Sequence, residues 1–307
     1  MSSKPKIVVV GSSNTDMIIK GDRIPAPGET VVGGAFSTAP GGKGANQAVA
    51  AARAGGDVVF VARVGDDMLG RQAIAGYEQD GIDVSFVQRD PALATGVALI
   101  IVDQTGNNSI AVASGANAAL TPDDVERAAD AIKSAKMVVF QLETPIETIK
   151  RAARLAKDAG VPVLLDPAPA PSEPLPKELL ECVTVVKPNE GEASRLTGID
   201  VTDEASAFQA AEKLLELGVS TAIITLGAAG SVVATKDGVR KRAPAIRVDA
   251  VDATAAGDCY SGALAVALGE GKSLDDAIAF ASKAASLSVR RLGAQPSLPT
   301  REEIERA

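Results

Sequence analysis

Residues 137–165, MVVFQLETPIETIKRAARLAKDAGVPVLL, contain an apolar run, an amphipathic helical pattern and a second apolar run. The runs Met137–Phe140 and 161–165 are typical of strands buried on both faces, and Ile146–Asp158 between them predicts a helix. Two strands joined by a helix are the unit from which parallel sheets are built. The stretch therefore predicts an α/β fold with a mainly parallel sheet covered by helices on both faces.

The same alternation extends in both directions along the chain. Thr121 and Pro122 predict the start of a helix over 122–133, because proline favours the first helical position. The remaining predicted elements are strands at 7–10, 58–62, 84–88, 183–186 and Thr221–Thr225, helices at 45–53, Met68–Gln79, 190–196, 205–217 and from about 256 and 274, and a hairpin over 231–242.

Short strand patterns at 17–20, 30–36, 95–102 and 109–113 interrupt this regular order. We expect the segments around 16–36 and 95–113 to form a small separate β-sheet, such as a lid. The length alone allows one large domain or two small ones, and no repeat or low-complexity linker divides the chain. We expect a single domain over 1–307 with these lid strands inserted.

Composition excludes several classes of chemistry. The chain has 31 Lys and Arg against 39 Asp and Glu, for a net charge of −8, and lacks a long basic cluster. With no tryptophan and 3% aromatic residues, this argues against a nucleic-acid partner. The absence of histidine excludes Ser-His-Asp, Cys-His and H-E-x-x-H sites.

The expected location is the cytoplasm, without a membrane partner. No apolar run approaches the length of a membrane span, and the N-terminus lacks a signal-peptide pattern. The two cysteines, Cys182 and Cys259, have no metal or redox spacing, as expected in a reducing compartment.

Two common nucleotide-binding motifs are absent. The first strand is followed by Gly11-Ser12-Ser13-Asn14, not by a Rossmann G-x-G-x-x-G. Gly42-Lys43 is followed by glycine, not by the serine or threonine of a P-loop.

Two other glycine-rich turns each precede a predicted helix. The first, 40–46, reads PGGKGAN and suits either a ligand approaching the backbone or a tight strand-to-helix turn. The second, 252–262, reads DATAAGDCYSG and places the amides of Ala255, Ala256 and Gly257 at a helix start, as a candidate anion hole. Its Asp258 is either a catalytic base or a carboxylate that complements the helix dipole.

The second turn resembles the D-T-T-x-A-G-D-x-F-x-G signature of the ribokinase (PfkB) family of sugar kinases. The turn at 40–46, Asn189-Glu190-Gly191-Glu192 and the TLGAAG stretch at 225–230 resemble three further family motifs, in the expected order. Details at 14–16, 141–143, 255–258 and 293–297 resemble the ribose-specific members. The resemblance implies phosphorylation of D-ribose by ATP at the 5-hydroxyl, and a lid that often serves as a homodimer contact.

The resemblance also implies the roles of individual residues. Asp258 would accept the hydroxyl proton, and an unperturbed pKa near 3.9 would keep it ionised at pH 7. The amides of Ala255, Ala256 and Gly257 would hold the transferring oxygens. The implied sugar contacts are Asn14, Asp16, Gly42, Lys43, Asn46, Glu143 and Asp258. The implied nucleotide contacts are Asn189, Thr225, Gly227, Gly230, Gly257 and Ser282.

Two ions are implied as well. Asn189 and Glu192 would orient Mg²⁺ through water, although the pair also suits a helix cap. An activating K⁺ would lie beside the anion hole, although Asp252 also suits a turn cap. Its implied ligands are Asp252, Thr254, Ser288, Arg291, Gly293 and Ser297. Ser282 departs from the asparagine expected near the adenine.

Two alternatives to a ribose substrate stay open. The first is a related kinase acting on fructose, ketodeoxygluconate or a nucleoside. The second is a sugar-binding or regulatory protein on the same fold, against which the intact Asp258 argues.

Overall fold

The computed structural model describes residues 4–307, which form thirteen strands and eleven α-helices. The strands are β1 Lys6–Val10, β2 Asn14–Lys20, β3 Ala35–Gly41, β4 Asp57–Gly65, β5 Asp83–Asp90, β6 Gly96–Val102, β7 Asn108–Ala113, β8 Met137–Phe140, β9 Val163–Leu165, β10 Val185–Val186, β11 Thr221–Thr225, β12 Ser231–Thr235 and β13 Arg240–Ala243. The helices are α1 Lys43–Arg53, α2 Met68–Gln79, α3 Pro122–Arg127, α4 Ala129–Lys133, α5 Ile146–Asp158, α6 Lys177–Leu180, α7 Glu190–Thr197, α8 Glu204–Glu216, α9 Ala256–Gly269, α10 Leu274–Ser288 and α11 Arg301–Arg306.

Nine strands form the main sheet in the order β13-β12-β11-β10-β9-β8-β1-β4-β5. All neighbours are parallel except β11–β12 and β12–β13, which are antiparallel. Alternate residues of β1 enter different apolar clusters: Ile7 and Val9 one, Val8 and Val10 the other. Since successive strand side chains point to opposite faces, both faces of the sheet are covered, which confirms the predicted fold class.

A second, four-stranded sheet has the order β3-β2-β6-β7. It contains the segments expected to form a lid, but the strand predicted at 30–36 is wrong. The strand that pairs with β2 runs from Ala35 to Gly41. Gly33 and Gly34 have φ of 114° and 94°, a backbone conformation that interrupts a strand before Ala35.

The predicted helix over 122–133 is divided in two at Ala128, where φ is −95° and ψ is 8°. α11, which follows the two predicted C-terminal helices, was also missed. Among residues 4–307, no helix combines the length and apolar character needed to cross a bilayer.

The carboxyl ends of the central parallel strands meet at one edge of the main sheet. The loops after β1, β8, β9 and β10 begin at Gly11, Gln141, Asp166 and Lys187. In open α/β sheets this edge is where ligands bind.

Candidate active site

The predicted base Asp258 is buried in the first turn of α9, where two side-chain amides bind its carboxylate. Asn46 Nδ2 donates to Oδ2 at 3.0 Å, and Gln47 Nε2 donates to Oδ1 at 2.9 Å. Burial, the largest cause, raises the pKa of Asp258 to about 6, although the Lys43 cation opposes the rise. The expectation of an unperturbed pKa is therefore wrong, because it took no account of desolvation. The carboxylate is still mostly ionised at pH 7.

The predicted anion hole lies at the N-terminus of α9. Ala255 is the one non-glycine residue with positive φ among residues 4–307, with φ 59° and ψ 13°. Such backbone strain persists only where the surrounding structure holds it, and it is frequent at functional sites. Ala256 N donates to the Ala253 carbonyl oxygen at 3.2 Å. The helix N-terminus makes this turn suitable for a phosphate.

The predicted sugar contacts gather between β2, the start of α1 and the loop after β8. Glu143 Oε2 accepts hydrogen bonds from Lys43 N, at 3.0 Å, and from the Ser12 hydroxyl. Asn117 Nδ2 donates to Asn14 Oδ1 at 2.7 Å, which leaves the Asn14 amide group as a donor.

A buried acceptor at the start of α1 has no partner. Asn46 Oδ1 accepts no hydrogen bond from any described residue, although its own amide nitrogen is bound to Asp258. A buried polar atom without a partner is costly, so this oxygen is suited to accept a sugar hydroxyl.

Carboxylates surround the Lys43 side chain. Burial by itself lowers the pKa of Lys43, but Asp258, Asp166 and Glu143 raise it above its usual value. Burial, followed by the charges of Glu143 and Asp258, raises the pKa of Asp16 to about 6. Lys43 therefore keeps its positive charge and lies among several acidic groups.

The glycines at 41 and 42 allow this close packing. A Cβ on Gly41 would lie 2.4 Å from Asp16 Oδ1, and a Cβ on Gly42 would lie 2.6 Å from Asn14 N. Gly42 also has φ of 87°. The turn therefore brings backbone directly against two predicted sugar contacts.

The predicted nucleotide residues follow β10 and β11. Asn189 and Glu192 form a capping box for α7: Asn189 N donates to Glu192 Oε2 at 2.8 Å, and Glu192 N donates to Asn189 Oδ1 at 2.8 Å. Thr225 forms an isolated bridge with Asn189. Gly227 and Gly230 flank the following turn, and Gly230 has no room for a Cβ beside the Ala243 carbonyl oxygen, 2.2 Å away.

Ser282, which the resemblance predicts near the nucleotide, lies partly buried in α10. Burial raises the pKa of Glu192, and the Asp166 charge adds to the rise. Asn189 and Glu192 thus form the helix cap that the sequence also allowed, and Glu192 Oε1 lies outside that hydrogen-bonded pair. Contact of these two residues with Mg²⁺ through water stays a prediction.

The loops predicted to hold a monovalent cation are joined by Asp252. Its Oδ1 accepts from Thr254 N at 2.9 Å, and its Oδ2 accepts from Gly293 N at 2.8 Å. The Ser288 hydroxyl donates to the Ala285 carbonyl oxygen and the Ser297 hydroxyl to the Ala294 carbonyl oxygen. The Arg291 side chain pairs with Glu303. The structure thus brings Asp252, Thr254 and Gly293 together. At Arg291 only the backbone carbonyl oxygen suits a cation, because the side chain is itself a cation.

The sequence matches one protein family over nearly the whole chain. Residues 4–301 match the pfkB family of carbohydrate kinases. The chain belongs to this family. Ribokinase of Haemophilus influenzae is 43% identical over 297 residues, covering 97% of this chain and 96% of that protein. Ribokinase of Staphylococcus aureus is 42% identical over 301 residues, covering 97% and 98%.

Structural similarity agrees with the assignment to the pfkB family. The structure of Arabidopsis thaliana ribokinase complexed with ribose and ATP matches with a TM-score of 0.92 and 36% identity. The match covers 99% of this chain and 98% of that chain. The family resemblance derived from the sequence motifs is therefore confirmed.

Sequence reasoning missed several polar residues of this pfkB-family site. Gln47, Asp166, Lys187 and Ser261 are buried, and the other three each contact Asp166 Oδ2. A signal was available for two of them, because Asp166 and Lys187 each directly follow a predicted parallel strand. For Gln47 the signal was its position beside Asn46 in the glycine-rich motif.

Proposed function

We propose that the protein transfers the γ-phosphoryl group of ATP to the 5-hydroxyl of D-ribose, giving ribose 5-phosphate and ADP. The observation that carries the proposal is the buried Asp258, held beside a helix N-terminus in a chain that matches ribokinases over nearly its full length. The intact carboxylate argues against a sugar-binding or regulatory protein without activity.

Positioning and charge stabilisation dominate phosphoryl transfer. The Asp258 carboxylate accepts the proton of the sugar hydroxyl, since its raised pKa makes it a stronger base while leaving it mostly ionised at pH 7. The amides of Ala255 and Gly257 stabilise the negative charge on the transferring oxygens. The Ala256 amide joins them only by giving up its hydrogen bond to the Ala253 carbonyl oxygen.

The sugar is held by groups that match its hydroxyls. Asp16 and Glu143 accept hydrogen bonds, the Asn14 amide and Lys43 donate them, and the unpartnered Asn46 Oδ1 accepts one more. The backbone at Gly42, which packs against Asn14, would lie beside the sugar. Thr225, Gly227, Gly230 and Ser282 would line the nucleotide.

Magnesium is expected to enter with ATP. Residues 4–307 contain no group of three or more Asp, Glu, Cys or His placed to hold a metal, so water and phosphate would complete its ligands. Asn189 and the free Glu192 Oε1 suit contact through water. Bound Mg²⁺ would neutralise charge on the β- and γ-phosphates.

A panel of substrates tests the proposal. We expect ADP release, in a coupled assay with ATP and Mg²⁺, to have its highest kcat/KM with ribose among ribose, 2-deoxyribose, fructose, ketodeoxygluconate and adenosine. A higher value with another member would assign a different substrate, and no ADP release with any member would favour a binding protein.

The proposal includes a K⁺ site made by the 252–254 and 288–297 loops. A weakly hydrated cation suits a set of carboxylate and carbonyl oxygens, which is the donor chemistry of these loops. Asp252 already links Thr254 to Gly293, so a cation there would further fix the turn that carries the anion hole.

Replacing K⁺ by tetramethylammonium at constant ionic strength should lower kcat about tenfold or more, because the anion-hole turn loses a support. The kcat of Asp252→Ala should be the same in both salts. Asp249→Ala, changed at an exposed position nearby, should lose as much kcat without K⁺ as the parent does. Equal rates of the parent protein in both salts would remove the cation from the proposal.

A homodimer through the small sheet is also proposed. By register, Ile110 and Val112 share a face with Asp16, while Leu99 and Ile19 lie on the opposite face. All four apolar side chains are exposed, between 44% and 55%. Exposed apolar side chains on a small sheet with an open edge favour association.

Sedimentation should therefore show a dimer at micromolar concentration. The double variant Leu99→Asp with Ile110→Asp, one change on each face, should be a monomer because burying charge at the contact is unfavourable. Val239→Asp, at an exposed apolar position outside the small sheet, should remain a dimer. A parent protein that is monomeric throughout this range would contradict the proposal.

A further inference from the structure

A buried ion pair lies beside the Asp258 carboxylate and has no role in the mechanism above. Lys187 Nζ is 3.0 Å from Asp166 Oδ2, and both side chains are 3% exposed. The same ammonium is 3.4 Å from the Gly257 carbonyl oxygen. The pair therefore contacts the turn that forms the anion hole.

Gln47 connects this pair to Asp258. Its Nε2 donates to Asp166 Oδ2 at 3.0 Å and to Asp258 Oδ1 at 2.9 Å. Ionised carboxylates only accept hydrogen bonds, so the amide nitrogen has to face them. On the other side, Gln141 Nε2 donates to Gln47 Oε1. The orientation of the Gln47 amide is thus fixed from both sides.

Gln141 is itself held close to the first strand. A Cβ on Gly11 would lie 1.9 Å from Gln141 Oε1, so only glycine leaves room for this side chain. On the opposite side, Ser261 Oγ donates to Asp166 Oδ2 at 2.8 Å. The chain of contacts runs without a break from the end of β1 to α9.

We propose that Gln47, Asp166 and Lys187 form a positioning network that holds the Asp258 carboxylate in a fixed position relative to the anion hole. The proposal rests on the function proposed above, in which Asp258 is the base. These three side chains act through Asp258 and Gly257, so they are positioning residues.

The network suits this task for two physical reasons. A neutral amide fixes the direction of a carboxylate without the charge neutralisation that a lysine contact would bring, so it weakens the base less than a lysine would. The buried Lys187–Asp166 pair has little freedom to move, and a preorganised site loses less free energy in reaching the transition state.

The pH dependence of kcat distinguishes a positioning role of the network from a purely structural one, because a purely structural role would leave the pH profile unchanged. The charged groups that face Asp258 are Lys43 from α1, Asp16 from β2 and Asp166 from the loop after β9. The Gln47 hydrogen bond lowers the pKa of Asp258, whereas the Asp166 charge raises it.

The test uses two variants, with kcat and KM measured across pH 5 to 9. Gln47→Met removes both donated hydrogen bonds in a similar volume. We expect kcat to fall about 10- to 100-fold at pH 7, little change in KM for ribose, and a shift of the acid limb to higher pH. Asp166→Asn removes one charge and keeps an acceptor for Lys187, so its acid limb should move to lower pH.

The controls separate this proposal from the assignment of the base. Gln209→Met, at an exposed position of α8, should match the parent enzyme. If Asp258→Asn is inactive while both network variants keep the parent kcat and acid limb, the network is overturned and the proposed function stands. If Gln47→Met does not fold, as judged by circular dichroism, the Asp166→Asn variant decides. An acid limb of its kcat profile at lower pH than in the parent supports the network, and an acid limb at the parent pH overturns it.

Discussion

Asp258→Asn is expected to lower kcat by about 10²–10⁴-fold, the usual range for loss of a general base. The substitution keeps the size of the side chain but removes the charge that accepts the proton from the sugar hydroxyl. Ribose binding, measured by calorimetry without nucleotide, should change little, because most sugar contacts come from other residues. The measurement is the rate of ADP release at saturating ribose and ATP.

The matched control for this variant is Asp200→Asn, an exposed aspartate outside the site. It should have the parent kcat. The new amide at position 258 faces two donors, those of Asn46 and Gln47, so thermal unfolding should be compared as well. A folded Asp258→Asn protein with near-normal turnover would contradict the assignment of the base.

Asp16→Asn is expected to have the opposite kinetic signature. Hydrogen bonds to charged groups contribute about 1.5–3 kcal/mol, so KM for ribose should rise about 10- to 100-fold. The fall in kcat should be much smaller than in Asp258→Asn, because Asp16 holds the sugar and takes no proton in the reaction. Steady-state kinetics with ribose varied at saturating ATP measures the difference.

The outcome for Asp16 bears on the location of the sugar. An unchanged KM in a folded Asp16→Asn protein would mean that the sugar does not contact the small sheet at this point. Asp123→Asn, at an exposed position in the first turn of α3, serves as the control and should keep the parent KM.

The main sheet was predictable from the sequence because its strands are buried on both faces. β1, β8 and β11 contain continuous apolar runs, a pattern that parallel strands between helices produce. The position of β3 was not predictable in the same way. Its sequence, AFSTAPG, is mostly exposed and has no apolar alternation, so its bounds depend on pairing with β2.

The candidate site was predictable only where motifs carried it. Asn14, Lys43 and Asp258 lie in recognisable segments, and the structure brings the three elements that carry them together. The raised pKa of Asp258 was not predictable, because it arises from burial that only the packed structure defines. The same holds for Asp166 and Lys187, which lie 21 residues apart in sequence numbering and meet only through adjacent strands.

The product formed from ribose tests the central claim most directly. After incubation with ATP and Mg²⁺, phosphorus NMR with proton coupling should show a phosphate ester split by the two protons of a CH₂ group, as expected for the 5-hydroxyl. 5-Deoxyribose, which lacks that hydroxyl, should yield no ester and release no ADP. An ester on another ribose hydroxyl, or ADP release with 5-deoxyribose at the rate seen with ribose, would contradict the account.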